Sequence, residues 1–345
     1  MNINTNNPQT IADLAYVAIA LNTKKFIKYE TAVLLNKDPE DLHQMRVGLR
    51  RLRSVIVGFQ PVLEIPQICN QKNIGKIAQT LSKKRDLDIL TDHIKEEYYH
   101  NLPEEEKTIT DQLINTLEKE KKEQLILIKE TLTSKKYQKI KQSLKKWLDT
   151  PKFSLVGNQP IEKISLNLIL PQVSTFLVAQ GWYIGLETLK NKEQELILDH
   201  HLSGKKVNLL LKKNETIFHQ LRKEAKKTRY QMEFFSNVYG QKYQEYLEFV
   251  TIVQDNLGDI QDIMVLIATL KKIIGKKWST KLPTFTRLIT ENQYQQWLIW
   301  QNQQKLYLQQ TNQPDFLLKT FSTNVSPHQA KSSPNLSSPP STDSD

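Results

Sequence analysis

The chain has 345 residues, which is enough for one large domain or two small ones. Only 10 residues are glycine, and because β-rich folds need many tight turns, this composition favours helices. Lys and Arg number 48 against 37 Asp and Glu, and the net charge of +11 predicts an acidic partner such as nucleic acid, anionic lipid or a phosphate polymer. The single cysteine, Cys69, excludes an internal disulfide framework and a cysteine-based zinc site.

Two apolar stretches are long enough to raise the question of a membrane, and neither has the required features. Residues 11–21 lack the positive flank of a signal peptide and are interrupted by Asp13. The longest apolar window, 166–189, contains Pro171 and Glu187, which suit a membrane span poorly. We therefore expect a cytoplasmic protein that has no membrane partner.

Apolar residues recur at three- and four-residue spacing without sustained alternation, and this pattern predicts an all-α fold. Helices are predicted at about 10–36, 39–63, 67–100, 104–132, 134–149, 160–190, 193–212, 215–239, 241–272 and 284–310. Prolines mark several of the breaks between them. A polar lead, 1–8, and a Ser/Pro-rich tail, 311–345, have too few apolar residues to form a core and are predicted to be disordered.

An internal repeat divides the chain into two related halves. Residues 38–53 align without a gap on residues 214–229, at an offset of 176. Within these segments the aligned pairs are Asp38 with Asn214, His43 with His219, Arg46 with Arg222, Arg50 with Lys226, Arg51 with Lys227 and Arg53 with Arg229. Further along the chain, the same offset aligns Ser82 with Gly258 and Asp86 with Asp262. Chance is a poor explanation for so long a match. We predict one ordered domain at 9–310 with halves at about 9–150 and 160–310.

The repeated segments place their cations on one face of a helix. At about 100° per residue, a histidine and three cations in each copy share a face about 80° wide. They are His43, Arg46, Arg50 and Arg53 in the first copy and His219, Arg222, Lys226 and Arg229 in the second. Such a row of like charges destabilises a helix unless a negative group faces it. Solvation does not require a histidine at the same place in two copies, so we predict anion binding.

Two lysines of the first helix are candidate additions to this site. An apolar stripe that runs from Ile11 to Leu21 at helical spacing continues at Lys25 and Lys28, where the pattern predicts apolar side chains. One explanation is that the lysines reach solvent from a helix end. The other is that the inner face of the bundle becomes a basic channel here.

Other chemistry finds little support in the sequence. The adjacent pair His200 and His201 diverges by about 100° on a helix and cannot readily share a metal. Glu118-x-Glu120-x-Lys122 resembles a motif of triphosphate-processing metalloenzymes, but that motif needs a β-strand and here lies among helix formers. Phosphate-binding glycine loops and nucleophile–base pairs are not found either. We expect no metal and no cofactor.

The aromatic residues near the stripes are few, which bears on the type of anion. Single-stranded nucleic-acid binders normally stack bases on aromatic rings, and Tyr230 is the ring nearest to either stripe. Trp297, Trp300 and Tyr307 in the last helix are better explained as a packing face that closes the bundle. A ligand made only of phosphates therefore fits the sequence better than a nucleic acid.

The repeated motifs resemble those of the conserved histidine α-helical domain, or CHAD, over roughly residues 9–308. The resemblance rests on His43-x-x-Arg46-Val47-x-x-Arg50-Arg51-Leu52-Arg53, on Arg85-Asp86-x-Asp88 and on the second copy from His219 to Glu233. It implies two pseudo-symmetric four-helix bundles around a basic pore or groove that binds long-chain inorganic polyphosphate, and recruitment to polyphosphate granules. The barrel enzyme to which many members are fused has no place in this chain, so the resemblance implies no catalytic activity. Ser82 stands where the family pattern has glycine.

Site residues follow from the resemblance by position. The implied polyphosphate-binding residues are Lys25, Lys28, His43, Arg46, Arg50, Arg51, Arg53, His219, Arg222, Lys223, Lys226, Lys227 and Arg229. Asp86, Asp262 and Tyr230 are expected to orient them from behind rather than to act as catalysts.

Two alternative functions remain open at this stage. A nucleic-acid-binding module would release polyphosphate in the presence of excess duplex DNA or RNA. An enzyme that acts on polyphosphate or another phosphorylated substrate would release phosphate with added Mg²⁺ or Mn²⁺. We favour non-catalytic polyphosphate binding over both.

Overall fold

The computed structural model describes residues 3–188, 196–198, 202–311, 313 and 315–322. It is 82% helical, which confirms the predicted all-α fold. The first half contains α1 (Ile11–Lys28), α2 (Glu30–Leu35), α3 (Pro39–Gly58), α4 (Gln71–His93), α5 (Glu104–Thr133) and α6 (Lys135–Asp149). The second half contains α7 (Ile161–Leu177), α8 (Gly204–Lys213), α9 (Glu215–Phe234), α10 (Gln241–Ile273), α11 (Trp278–Lys281), α12 (Pro283–Thr311) and α13 (Phe316–Thr320).

Helix starts follow local side-chain chemistry in most places. Thr10 and Asp13 form a capping box at α1, in which each side chain bonds the backbone of the other residue. Asp38 caps α3 by accepting a hydrogen bond from the backbone N–H of Glu40. The aligned Asn214 precedes α9 as predicted, but its side chain donates to the carbonyl of Leu210 instead of capping the helix.

The helices predicted at 160–190 and 193–212 are present but shorter, as α7 and α8, and a short β-hairpin lies between them. Its strands, β1 (Leu186–Thr188) and β2 (Leu196–Leu198), are antiparallel. Gly185, just before β1, adopts a φ of 82°, and a Cβ at this position would lie 2.6 Å from Trp297, so glycine alone fits the backbone here. Both constraints are tertiary, so periodicity alone could not reveal them.

The predicted disordered lead is wrong for the residues that the structure describes. The backbone N–H groups of Asn4 and Gln9 donate to the carboxylate of Asp13, at 2.9 and 3.2 Å. This buried carboxylate therefore fixes the lead onto the start of α1.

The predicted tail also begins too early. Residues 315–322 form α13 and a closing turn, and the Phe321 ring lies 5.5 Å from the rings of Tyr239 and Tyr243. The apolar side chains of this segment are buried against the core. The tail as a whole has a polar composition, so its average did not reveal this short apolar segment. Residues 323–345 lie outside the described part of the chain.

The repeat predicted from the sequence recurs in the helices. Helices α3 and α9 begin and end 176 residues apart. Helix α3 packs against α1 and α4, and α9 packs against α7 and α10. Both halves contribute to one continuous apolar core and also to a second cluster that joins α4 and α5 to α10 and α12. The halves are thus not separate folding units, while their arrangement as two pseudo-symmetric four-helix bundles stays a prediction.

The aromatic residues of α12 lie inside the core. Trp297 and Trp300 are fully buried, and the Tyr307 ring stacks on Trp182 with the ring centres 4.1 Å apart. This confirms the predicted packing face. In the described chain, one helical stretch, 161–183, is apolar and long enough by composition to cross a membrane, a test that core helices of soluble proteins also pass.

The buried carboxylate of Glu106 on α5 joins the two halves by capping α12. Its two oxygens accept hydrogen bonds from the backbone N–H groups of Thr284 and Phe285, each at 2.9 Å. We predict that Glu106→Ala lowers the free energy of unfolding by roughly 2 kcal/mol, because it leaves two buried donors unpaired. Denaturant unfolding measures this. Glu105→Ala, one residue earlier and exposed, is the control, and equal losses in both variants would contradict the capping role.

Candidate anion-binding site

The two helices that carry the basic stripes meet near their C-terminal ends. Nη2 of Arg51 on α3 lies 3.3 Å from Oε2 of Glu233 on α9. Beyond it, the rings of Phe59 and Phe234 lie 5.5 Å apart. The apolar faces of both helices are buried in the common core, so the stripes beside them are held at a fixed distance.

Seven residues of the two stripes are half-buried, and we call them the basic cleft. They are His43, Arg46, Arg50, His219, Arg222, Lys226 and Arg229. Lys226 of the second copy lies within electrostatic range of Arg46 and Arg50 of the first. The predicted stripes therefore face one cleft and do not point outward in unrelated directions.

Arg46 and Arg222 align in the repeat, and each lies against the aligned position of the neighbouring helix, Ser82 or Gly258. Nε of Arg46 donates to Oγ of Ser82 at 2.8 Å, and its Nη2 lies 3.4 Å from Oδ1 of Asp86. Arg222 lies over Gly258, where an added Cβ would be only 3.4 Å from Nη2. The glycine thus gives the second guanidinium the space that the serine hydroxyl fills in the first. The contact with Asp86 is consistent with the predicted orienting role.

Tyr230 lies between two arginines of opposite copies. The guanidinium carbons of Arg50 and Arg229 are both 5.1 Å from the centre of its ring. Cation–π attraction holds each of them in place. The ring is only 2% exposed, so it supports the arginines from behind, as predicted, and presents no face to a ligand.

Several polar atoms of the basic cleft are buried without a partner among the described residues. They include Nε of Arg50, Nε of Arg222 and Nδ1 of His43. Buried polar groups in proteins nearly always have a hydrogen-bond partner, and each exception needs a physical explanation. An anionic ligand in the cleft would provide the missing acceptor for the arginine donors.

The two histidines have different neighbours. Nδ1 of His219 lies 3.1 Å from Oε1 of Gln261, so this nitrogen carries a proton that it donates to the amide. Its Nε2 can then donate to a ligand only when the ring is charged. Burial lowers the pKa of both histidines, and the positive charges of Arg85, Arg46 and Arg50 contribute to the lowering at His43.

Lys226 has the most strongly shifted pKa in the basic cleft. Burial and the positive charges of Arg222, Arg50 and Arg46 lower the pKa of its ammonium group to about 7. In the protein without a ligand, Lys226 is therefore only partly charged at neutral pH. A negative ligand would favour the charged form.

Arg85 lies near the cleft. The sequence predicts a solvated surface for Lys83, Lys84 and Arg85, because the second copy has no basic residue at the aligned positions. Nε of Arg85 is buried without a partner in the described structure, and its charge acts on His43. We missed it because the second copy has Gln261 at this position. Its position three residues after Ser82 on α4 places both on the same helix face, and that signal was present in the sequence.

Four predicted binding residues are not members of the basic cleft, and each is exposed or paired with a carboxylate. Arg53 is exposed, with its guanidinium over Gly75, and Lys223 is exposed as well. Nζ of Lys227 is 2.9 Å from the buried carboxylate of Glu224. Arg51 is likewise paired with Glu233. Arg51 and Lys227 leave the stripe because they lie about 80° from the leading histidine on the wheel.

The inward stripe predicted for α1 is buried at Ile11 and Ala18 but does not continue to Lys28. Leu21 is 62% exposed and Lys28 is exposed, while the buried face contains Ala15, Ile19 and Phe26. Apolar residues occur on several sides of α1, so helical spacing alone did not define its inner face. Lys25 is half-buried beside the true inner face, and its role in binding stays a prediction.

An acidic cavity of about 370 Å³ lies beside the basic cleft. Its lining includes His93, Glu97, Asp259 and Asp262. Burial raises the pKa of Asp262, and the nearby Arg222 and His93 oppose that rise. No group of three or more His, Cys, Asp or Glu in the described residues is arranged to hold a metal ion. Asp259 and Asp262 act electrostatically on Arg222 without an ion pair in the described structure, and the orienting role of Asp262 stays a prediction.

The chain belongs to the CHAD domain family, whose sequence model matches residues 17–271. Polyphosphate binding is a general feature of that family. The fold is similar to the crystal structure of the CHAD domain from the plant Ricinus communis, with 19% identity, coverage of 92% of each chain and a TM-score of 0.55. It is also similar to PptA from Streptomyces chartreusis, with 11% identity, coverage of 88% of this chain and 98% of that one and a TM-score of 0.55. Comparison with curated protein sequences gives no match.

The positive charges of the basic cleft repel one another when no ligand is present. We predict that Lys226→Met raises the thermal midpoint by about 1–3 °C, because methionine keeps the packing of the stem and removes the half-buried charge. Calorimetric unfolding without ligand at pH 6 measures the shift. Lys223→Met, three residues earlier and exposed, should leave the midpoint unchanged, and a lower midpoint for Lys226→Met would refute the repulsion.

Proposed function

We propose that this protein binds inorganic polyphosphate in the basic cleft without catalysing its conversion. The observation that carries the proposal is the convergence of half-buried cations from two helices on one cleft, with arginine Nε–H groups that have no acceptor among the described residues. A structural ion-pair network would instead match these cations with carboxylates. Here Arg46 and Arg229 have carboxylate contacts at 3.4 and 3.5 Å, while no ion pair within the described residues involves Arg50, Arg222 or Lys226.

A chain of linked phosphates matches the arrangement of these donors. Each phosphate unit carries about one negative charge, so a linear polymer offers a charge to successive cations along both helices. Guanidinium groups can bind two phosphate oxygens at once, whereas lysine acts as a compact point charge. Ser82 and Tyr230 hold Arg46 and Arg50 in place beforehand, which reduces the entropic cost of binding.

Nucleic acid fits the cleft less well. Base stacking requires an accessible aromatic face, and the single ring at the centre of the cleft, Tyr230, is covered by Arg50 and Arg229. The half-buried position of the cations also suits a thin chain better than a duplex. We therefore propose polyphosphate as the ligand in preference to DNA or RNA.

We further propose that polyphosphate binding places the protein in the cytoplasm at polyphosphate granules. In this view the granule is a dense array of the ligand, and recruitment needs no surface other than the basic cleft. A fluorescent fusion of the full chain should concentrate at granules, and loss of cleft cations should disperse it.

Removal of three cations from the basic cleft should abolish tight binding. We predict that Arg46→Ala/Arg50→Ala/Arg222→Ala lowers the affinity for long-chain polyphosphate at least about 100-fold, because each charged hydrogen bond contributes roughly 1.5–3 kcal/mol. A binding titration by calorimetry or anisotropy measures the loss. The dependence of log affinity on log salt concentration should also become shallower, by about one in slope for each phosphate that the variant no longer neutralises.

The matched control for that variant removes three cations elsewhere. Lys135→Ala/Lys136→Ala/Lys139→Ala on α6 takes the same charge from an exposed helix face and should change affinity less than about threefold. Equal affinities of the cleft variant and the wild type would defeat the site assignment. Displacement of long polyphosphate by excess duplex DNA would instead favour a nucleic-acid-binding module.

Binding should take up protons. Phosphate raises the lowered pKa values of His43, His219 and Lys226, so we predict that affinity increases as pH falls from 8 to 6. Titration calorimetry in buffers of different ionisation enthalpy measures the proton uptake directly. His219→Gln/Lys226→Arg removes two of the titrating groups and should flatten the pH profile. Constant affinity across this range in the wild type would contradict the assigned roles.

A further inference from the structure

A second cavity, of about 600 Å³, lies in the second half of the molecule between α8, α10, α11 and α12. None of its lining residues belongs to the basic cleft. Its size falls within the range of small-molecule sites. Its floor and its rim have different chemistry, and three observations on the described residues define what could fill it.

The floor of the cavity is apolar. Met264 and Ile267 on α10 and Ile289 on α12 line it, and Trp278 on α11 lines it as well. Met264, Ile289 and Trp278 are each at most 7% exposed, so their positions are fixed by the core. A ligand must therefore present an apolar surface to this floor, and an inorganic phosphate chain has none.

The rim of the cavity is basic. Lys205 and Lys212 on α8 and Lys271 and Lys276 near the end of α10 line it, and Glu215 is the acidic residue beside them. No ion pair within the described residues involves any of these four lysines. These exposed lysines would attract a ligand that has several negative charges at the end facing solvent.

A buried amide marks the inner end of the cavity. Gln293 on α12 lines it and is 3% exposed, and its Oε1 has no hydrogen-bond partner among the described residues. An unpaired buried acceptor is costly, so a ligand should bring an N–H or O–H donor to this depth. The buried chain of a fatty acid has no such donor.

We propose that this cavity is a binding site for a nucleoside polyphosphate. A nucleobase has flat apolar faces for the floor and N–H donors for Gln293, and its phosphates can reach the lysine rim. Inorganic phosphate chains lack the first two features, and fatty acids lack the second. The site is independent of the proposed polyphosphate function, because it shares no residue with the basic cleft.

The test uses the full chain carrying Arg46→Ala/Arg50→Ala/Arg222→Ala, the variant expected to lower phosphate binding at the basic cleft at least about 100-fold. Titration calorimetry compares ATP with inorganic tripolyphosphate and with laurate. We expect ATP to bind and to be at least about tenfold tighter than tripolyphosphate, because the base adds apolar contact and a hydrogen bond. Tripolyphosphate as tight as ATP, laurate binding without ATP, or no binding of any of the three would each overturn the proposal.

Two substitutions locate the bound nucleotide. Gln293→Leu should weaken ATP about tenfold, and Lys205→Glu/Lys271→Glu should weaken it by at least as much. The matched control, Lys206→Glu/Lys277→Glu, makes the same charge change at neighbouring exposed positions that do not line the cavity and should have little effect. If Gln293→Leu fails to fold, the Lys205→Glu/Lys271→Glu variant still tests the proposal, because both of its positions are exposed. ATP affinity that is unchanged in the lysine pair would place the nucleotide elsewhere.

Discussion

Repulsion between half-buried cations is the constraint on which the basic cleft depends. Charges from α3 and α9 that lie this close would move apart if the helices were free to do so. They are not free, because Leu49 and Leu52 on α3 and Leu221 and Ala225 on α9 are buried in one continuous core. The apolar faces of the two helices therefore hold their basic faces together. The burial of apolar surface on folding offsets the electrostatic repulsion between the cations.

The same constraint explains how the chain neutralises some of its cations but not others. Several cations outside the basic cleft have close carboxylates, such as Lys227 with Glu224 at 2.9 Å and Lys141 with Glu30 at 2.8 Å. Within the cleft, the carboxylate contacts are longer and fewer. Carboxylates that satisfied every arginine would stabilise the free protein and compete with any anion. A site left partly unsatisfied is less stable when empty and gains stability when the ligand binds.

Sequence reasoning predicted the parts of the site that depend on helical period and on the repeat. The stripes on α3 and α9 follow from spacing alone, because a buried face of such a helix fixes where its other faces point. Arg85 was missed because agreement between copies was the criterion, and the copies differ there. Lys28 was misplaced because α1 has apolar residues on several sides. The chain before the hairpin packs Gly185 against Trp297 too closely for any side chain, a tertiary contact that no local pattern contains.

The differences between the two copies are informative once the geometry is known. Where the first copy has Arg50, the second has Lys226, and a lysine in this environment loses its proton near neutral pH while an arginine does not. Where the first copy has Arg85 beside His43, the second has Gln261, whose amide oxygen accepts a hydrogen bond from His219. Both copies thus supply permanently charged arginines and a histidine of lowered pKa, and the second copy adds a lysine that charges as an anion approaches. The second side of the cleft therefore responds more strongly to pH than the first.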